Sequence, residues 1–148
     1  MAKISDEIKH FLERQKLGFV ATISPDNTPN VSPKGTILAW DDEHLIFADI
    51  KSPQTISNLE NNPSVEINVV DPILRKGYRF KGKGMILKDN EEFSKILKFY
   101  EEKGIKSKIN AVVMVKVDTL SEVTSPLYDL GFSEEEIKEK WKKHYLSF

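Results

Sequence analysis

The stretch "DIKSPQTISN", residues 49–58, gathers several side chains able to hold a ligand. Ser52 is a good N-cap and Pro53 suits the first helical position, so a short helix is expected to start here. A helix start leaves backbone N–H groups unpaired and carries partial positive charge, which attracts anions. Lys51 precedes it, and Ser52, Gln54 and Thr55 put polar groups in its first turn. A phosphate suits this chemistry. A capped helix with solvated polar residues fits the same pattern.

Two further stretches carry chemistry. "NVSPKG", residues 30–35, interrupts a run that otherwise reads as a strand. Proline cannot donate a ladder hydrogen bond, and glycine has no side chain to pack. A strand so built lets a flat ligand approach its backbone, with the charge of Lys34 beside it. An edge-strand bulge with an exposed lysine is the alternative. In "RKGYRFKGKG", residues 75–84, alternation places Arg79, Lys81 and Lys83 on one face and Phe80, Gly82 and Gly84 on the other. That face suits a local anion contact or plain solvation. Tyr78 and Phe80 could also stack nucleic-acid bases.

Composition narrows the choice. The chain has 148 residues and a net charge of −1, which argues against attraction to nucleic acid or anionic lipid. With no cysteine, there is no disulfide, thiolate-held metal or cysteine nucleophile. The three histidines lie far apart, so no metal site is expected. Neither GxSxG nor a P-loop occurs, and "GKG" at 82–84 lacks the third glycine of a dinucleotide fingerprint. Apolar runs are too short to span a bilayer, and "MAKISDEIKHF" has charges where a signal peptide needs its apolar core. No membrane association and a cytoplasmic location are expected.

The elements that must position these residues follow from periodicity. Ser5 can cap a helix with Ile8, Phe11 and Leu12 on one face. "GFVATIS", the run through "NVSPKG" to Trp40, and "HLIFADI" read as three strands joined by the turns "SPDNTP" and "DDEH". After the short helix come "VEINVVD", with Val65, Ile67 and Val69 inward, and "GYRFKGKGMILK". A helix over 89–103, capped by Asp89 with Glu92 as its box partner, precedes "NAVVMVKVD". The tail holds a capping box at Ser133–Glu136 and an apolar edge of Ile137, Trp141 and Tyr145; Tyr128, Trp141 and Tyr145 could line the pocket or simply pack, and packing is expected. About six short antiparallel strands in a chain of this size suggest a small barrel.

Taken in order, "NVSPKG", an acidic turn, "LIFADIKSPQTISNLENNPSVEI" and "RFKGKG" resemble the pyridoxamine 5′-phosphate oxidase-like FMN-binding split-barrel family over roughly residues 5–120. The tail "PLYDLGFSEEEIKEKWKKHY" looks like an extension seen in some members. The resemblance implies a mainly β (α+β) fold: a six-stranded antiparallel split β-barrel with flanking helices. It implies a barrel domain over 1–120 and a helical extension over 121–148 packing on the barrel or the partner subunit. It also implies a homodimer with FMN in grooves between subunits and a small-molecule substrate. Val31, Ser32, Pro33, Lys34 and Gly35 fall where the family's strand passes the flavin ring. Asp49, Ile50 and Lys51 fall beside the ribityl chain, and Ser52, Gln54 and Thr55 at the phosphate turn. Asn58 lies in the helix behind that turn, and Arg79 and Lys81 are candidates for the partner chain's contribution. Lys34 is open to either the ring or the phosphate.

Two departures matter. Many relatives carry a basic residue where this chain has Gln54, with Lys51 nearby as its alternative. The terminal "WKKHYLSF" has no counterpart of the Arg-rich segment that holds the substrate phosphate in authentic pyridoxamine phosphate oxidases. Pyridoxamine phosphate is therefore not the expected substrate. The expected activity is FMN-dependent oxidoreduction of an unidentified small molecule, with no side chain standing out as an obligatory acid or base. A non-catalytic flavin-binding or electron-transfer protein is the alternative, and a deazaflavin or haem stays open as the ligand. A β-barrel nucleic-acid binder is the third reading.

Overall fold

The computed structural model describes residues 2–148. Helix α1 (Asp6–Arg14) starts where the Ser5 hydroxyl accepts the Ile8 N–H at 3.3 Å, and it buries Ile8, Phe11 and Leu12. Strands β1 (Gly18–Ile23) and β2 (Pro29–Lys34) form a hairpin. In its turn, Asn27 takes a left-handed φ of 65°, a conformation asparagine tolerates better than most residues. β3 (Leu38–Ala39), β4 (His44–Asp49), α2 (Pro53–Asn61), β5 (Ser64–Asp71) and β6 (Lys76–Leu87) follow. Then come α3 (Glu91–Glu102), β7 (Ala111–Thr124), α4 (Pro126–Asp129) and α5 (Glu134–Leu146).

The strands make one sheet in the order β2-β1-β5-β6-β7-β4-β3, antiparallel throughout. β2 and β3 are its two edges, yet only Gly35, Thr36 and Ile37 separate them in sequence. Four residue steps reach at most about 14 Å, whereas the edges of a flat seven-stranded sheet would stand about 29 Å apart. The sheet must therefore curl until its edges nearly meet. Thr36 ties this seam: its hydroxyl accepts the Ala48 N–H at 2.9 Å, and its carbonyl accepts the Tyr100 hydroxyl at 2.7 Å.

Curling encloses a core of Val20, Ile37, Leu45, Phe47, Ile67, Phe80, Val113 and Val115, with α1 and α2 contributing Phe11, Leu12, Ile56 and Leu59. On the opposite face of β4 and β7, Ile46, Ala48, Val112 and Met114 pack against Ile96 and Tyr100 of α3. β4 and the first part of β7, Ala111–Val115, are thus covered on both sides and read as nearly continuous apolar runs. β5 is covered on one side, with Val65, Ile67 and Val69 inward as alternation requires.

Three expectations change. There are seven strands rather than six, because the run "TPNVSPKGTILAW" is two strands on opposite edges with the crossing at Gly35–Ile37. Pro33 lies opposite Phe19 on an edge strand, where a missing N–H is tolerated. Asn90, not Asp89, caps α3 by accepting the Phe93 N–H at 2.8 Å. Glu92 accepts the Trp40 indole N–H at 2.8 Å instead of completing a capping box. Ser133 and Glu136 do form one.

Candidate functional site

β2 and β4 end beside the start of α2. The Lys34 ammonium donates to the Ser52 hydroxyl, and an Asp49 carboxylate oxygen accepts the Ser52 N–H at 2.7 Å. Lys34 and Asp49 are buried, each 7% exposed. Burial lowers the Lys34 pKa from its ordinary 10.5, and the nearby Asp49 carboxylate opposes that shift. The Lys34 ammonium also lies 6.0 Å from the centre of the Phe47 ring.

Ser52 sits at the N-cap of α2, but its hydroxyl makes no capping bond. Pro53 has no N–H, and Ile56 is the first residue of the helix to bond back to Ser52. The Gln54 and Thr55 N–H groups are among the donors that a helix start leaves without intrahelical partners. An uncapped helix start next to a buried lysine is an arrangement that binds an anion.

Behind this turn the polar groups satisfy one another. Gln54 Nε2 donates to Asn58 Oδ1 at 2.7 Å, and Asn58 Nδ2 donates to Thr22 Oγ1 at 3.0 Å. Asn58 and Thr55 are buried, so Asn58 holds α2 against β1 while Lys51 and Gln54 stay exposed. The Ile50 carbonyl accepts from the Asn110 amide at 3.2 Å. Ser32 is half-buried; Val31, Pro33 and Gly35 are exposed. Arg79 and Lys81 do not join this cluster. Both are exposed on β6 and face Glu66 of β5, at 3.7 and 3.5 Å.

Two residues of this neighbourhood escape sequence reasoning. Thr22 anchors Asn58; its signal was a polar residue sharing the Val20 face of β1, which turns out to be the inner one. Thr36 bridges β4 and α3, and no local pattern reveals it because both partners are distant in sequence.

The geometry can be set beside known proteins. A family model described as pyridoxamine 5′-phosphate oxidase matches residues 4–122. The crystal structure of HupZ from Group A Streptococcus is 30% identical, with a TM-score of 0.74, covering 82% of this chain and 95% of that one. The solved structure of an F420 reductase is 24% identical, with a TM-score of 0.61, covering 80% of this chain and 98% of that one. An FMN-binding protein from Syntrophomonas wolfei is 16% identical, with a TM-score of 0.67, covering 80% and 86%. The last two share the fold. No curated protein matches the sequence.

Proposed function

The chain belongs to the pyridoxamine 5′-phosphate oxidase family, and we propose that it is a split-barrel flavoprotein, a cytoplasmic homodimer that binds FMN between its subunits and oxidises or reduces a small molecule. One observation carries this reading: a buried lysine meets an uncapped helix start at Ser52. FMN's phosphate needs fixed donors and positive charge, and this corner has both.

The residues present fit the cofactor. Lys34, Ser52 and the N–H groups of Gln54 and Thr55 would hold the phosphate, with Lys51 adding charge from the solvent side. The Lys34 bond to Ser52 favours the phosphate over the ring as its target. Bound FMN would supply the electron-transfer chemistry. Asp49 orients Ser52 through its backbone N–H, and Asn58 fixes the helix that presents the donors. Val31, Ser32, Pro33 and Gly35 would border the ring, with Ile50 nearer the ribityl chain.

The partner subunit completes the reading. Phe19 and Val31 lie on the outer side of the β1–β2 hairpin, 47% and 61% exposed, with Pro33 on the same face. An apolar outer face of this kind suits burial against a second copy. Arg79 and Lys81 lie on an outer face as well, and would serve the other chain's site.

The decisive experiment is an absorption spectrum of the protein mixed with FMN, followed by titration with FMN and riboflavin. The expected result is a bound-flavin spectrum, with Lys34→Ala and Ser52→Ala weakening FMN far more than riboflavin. Equal losses would place the phosphate elsewhere; no flavin spectrum would end the proposal. A non-catalytic flavin carrier is the second reading, favoured by the buried titratable groups of this corner, Lys34 and Asp49, both being engaged with Ser52. Turnover with reduced nicotinamide and an acceptor would reject it.

A further inference from the structure

A cavity of about 580 Å³ shares no residue with the Lys34 cluster. It lies between α1, the start of β6, the end of β7 and the C-terminal extension. That volume is within the range of small-molecule sites.

The walls are held in place. Phe11, 7% exposed, meets the Tyr78 ring edge-on at 5.1 Å. The Tyr128 hydroxyl donates to the Leu74 carbonyl at 2.6 Å, and Lys76 pairs with Glu134 at 2.8 Å. Beside the cavity, the Arg75 guanidinium stacks 3.6 Å from the Trp141 ring and donates to the Tyr145 hydroxyl at 3.0 Å. Ile137 of α5 is 1% exposed. These contacts clasp the extension to the β5–β6 turn, so Tyr128 and Glu134 are a built wall.

The charges on this wall are unequal. Lys76 and Glu134 neutralise each other. Asp71 is occupied in capping its own turn, accepting the Ile73 and Leu74 N–H groups at 2.8 and 3.1 Å. It keeps its charge, so with Glu7 and Glu122 three carboxylates of the lining stand against the one guanidinium of Arg14. Burial raises the Tyr78 phenol pKa, the Glu7 and Glu122 carboxylates raise it further, and Lys76 and Arg14 oppose the rise. The aromatic rings therefore sit in excess negative charge, the setting in which a cation binds to ring faces.

We propose that this cavity binds a small organic cation, an ammonium group on a flat apolar body, with Phe11, Tyr78 and Tyr128 around the body and Glu7 and Glu122 facing the charge. The site is separate from the flavin corner and does not depend on it.

The test uses the full chain, with and without FMN, titrated calorimetrically with phenethylammonium, phenethyl alcohol and phenylacetate. The expected order is ammonium first, about tenfold tighter than the alcohol, with phenylacetate weakest. Glu7→Gln combined with Glu122→Gln should bring the ammonium to the level of the alcohol. Both residues are exposed, so the melting temperature should hold. Absence of ammonium binding at millimolar concentration, equal binding of ammonium and alcohol, or tighter binding of phenylacetate would each overturn the proposal. The wild-type series decides this even if the double variant misfolds. Failure here would leave the flavin titration untouched.

Discussion

β2 and β4 both reach Ser52, yet they are built in opposite ways. β4 is paired on both sides and buried from Leu45 to Asp49, one face in the enclosed core and the other under α3. β2 is paired only to β1, carries two prolines and alternates between exposed and inward residues. From the buried strand comes Asp49, which fixes the Ser52 backbone; from the edge strand comes Lys34, which engages the Ser52 hydroxyl. A rigid strand is suited to set the position of the turn. An edge strand can bring a lysine to it without disturbing the core.

The largest effect should come from breaking β4. Phe47→Ala removes a fully buried ring and should cost about 3–5 kcal/mol in urea unfolding. A loss below about 1 kcal/mol would show that β4 is not the rigid half. Lys34→Ala should weaken FMN by about 1.5–3 kcal/mol, the range for a hydrogen bond to a charged group. Its unfolding midpoint should change far less than that of Phe47→Ala; a comparable loss would place Lys34 in the structural half.

Tyr100→Phe tests the seam between the two edges. It removes the hydroxyl bonded to the Thr36 carbonyl and should cost about 1–3 kcal/mol by leaving a buried acceptor unpaired. A smaller effect comes from pH. The Lys34 pKa lies below its ordinary 10.5, so between the two values the unfolded chain binds more protons. Stability from this group therefore rises with pH through that window. Bound FMN should move the titration upward, read from the lysine ammonium by NMR; a titration unmoved by FMN would separate Lys34 from the phosphate. The smallest effect is expected for Arg79→Ala. Its contact with Glu66 is exposed, and unfolding should shift by less than about 1 kcal/mol.

Much of the site was readable in the linear pattern. Ser52–Pro53 marked the helix start, and the polar first turn pointed to an anion. The pattern also singled out Lys34 as a candidate, but for an incomplete reason. "NVSPKG" reads as one strand made open for a flat ring, whereas the chain leaves β2 after Lys34 and crosses to the other edge. In sequence Arg75 is only part of a basic stretch, although in the fold it holds Trp141 and Tyr145 of the extension.

Short-range order was legible from the residues alone. The Ser5 and Ser133 caps, the inward row Val65–Ile67–Val69 and the outward row Arg79–Lys81–Lys83 depend on neighbours within one helical turn or on a two-residue period. The cap of α3 was the local exception, since Asp89 and Asn90 are both suitable and the folded backbone selects Asn90. Folding alone decided the curl of the sheet, the meeting of Lys34 with Ser52 and the clasp on the extension. Each joins residues separated by many positions; the curl depends on burying both faces of β4 and drawing together two edges only three residues apart, and the clasp depends on where folding brings α5 to Arg75.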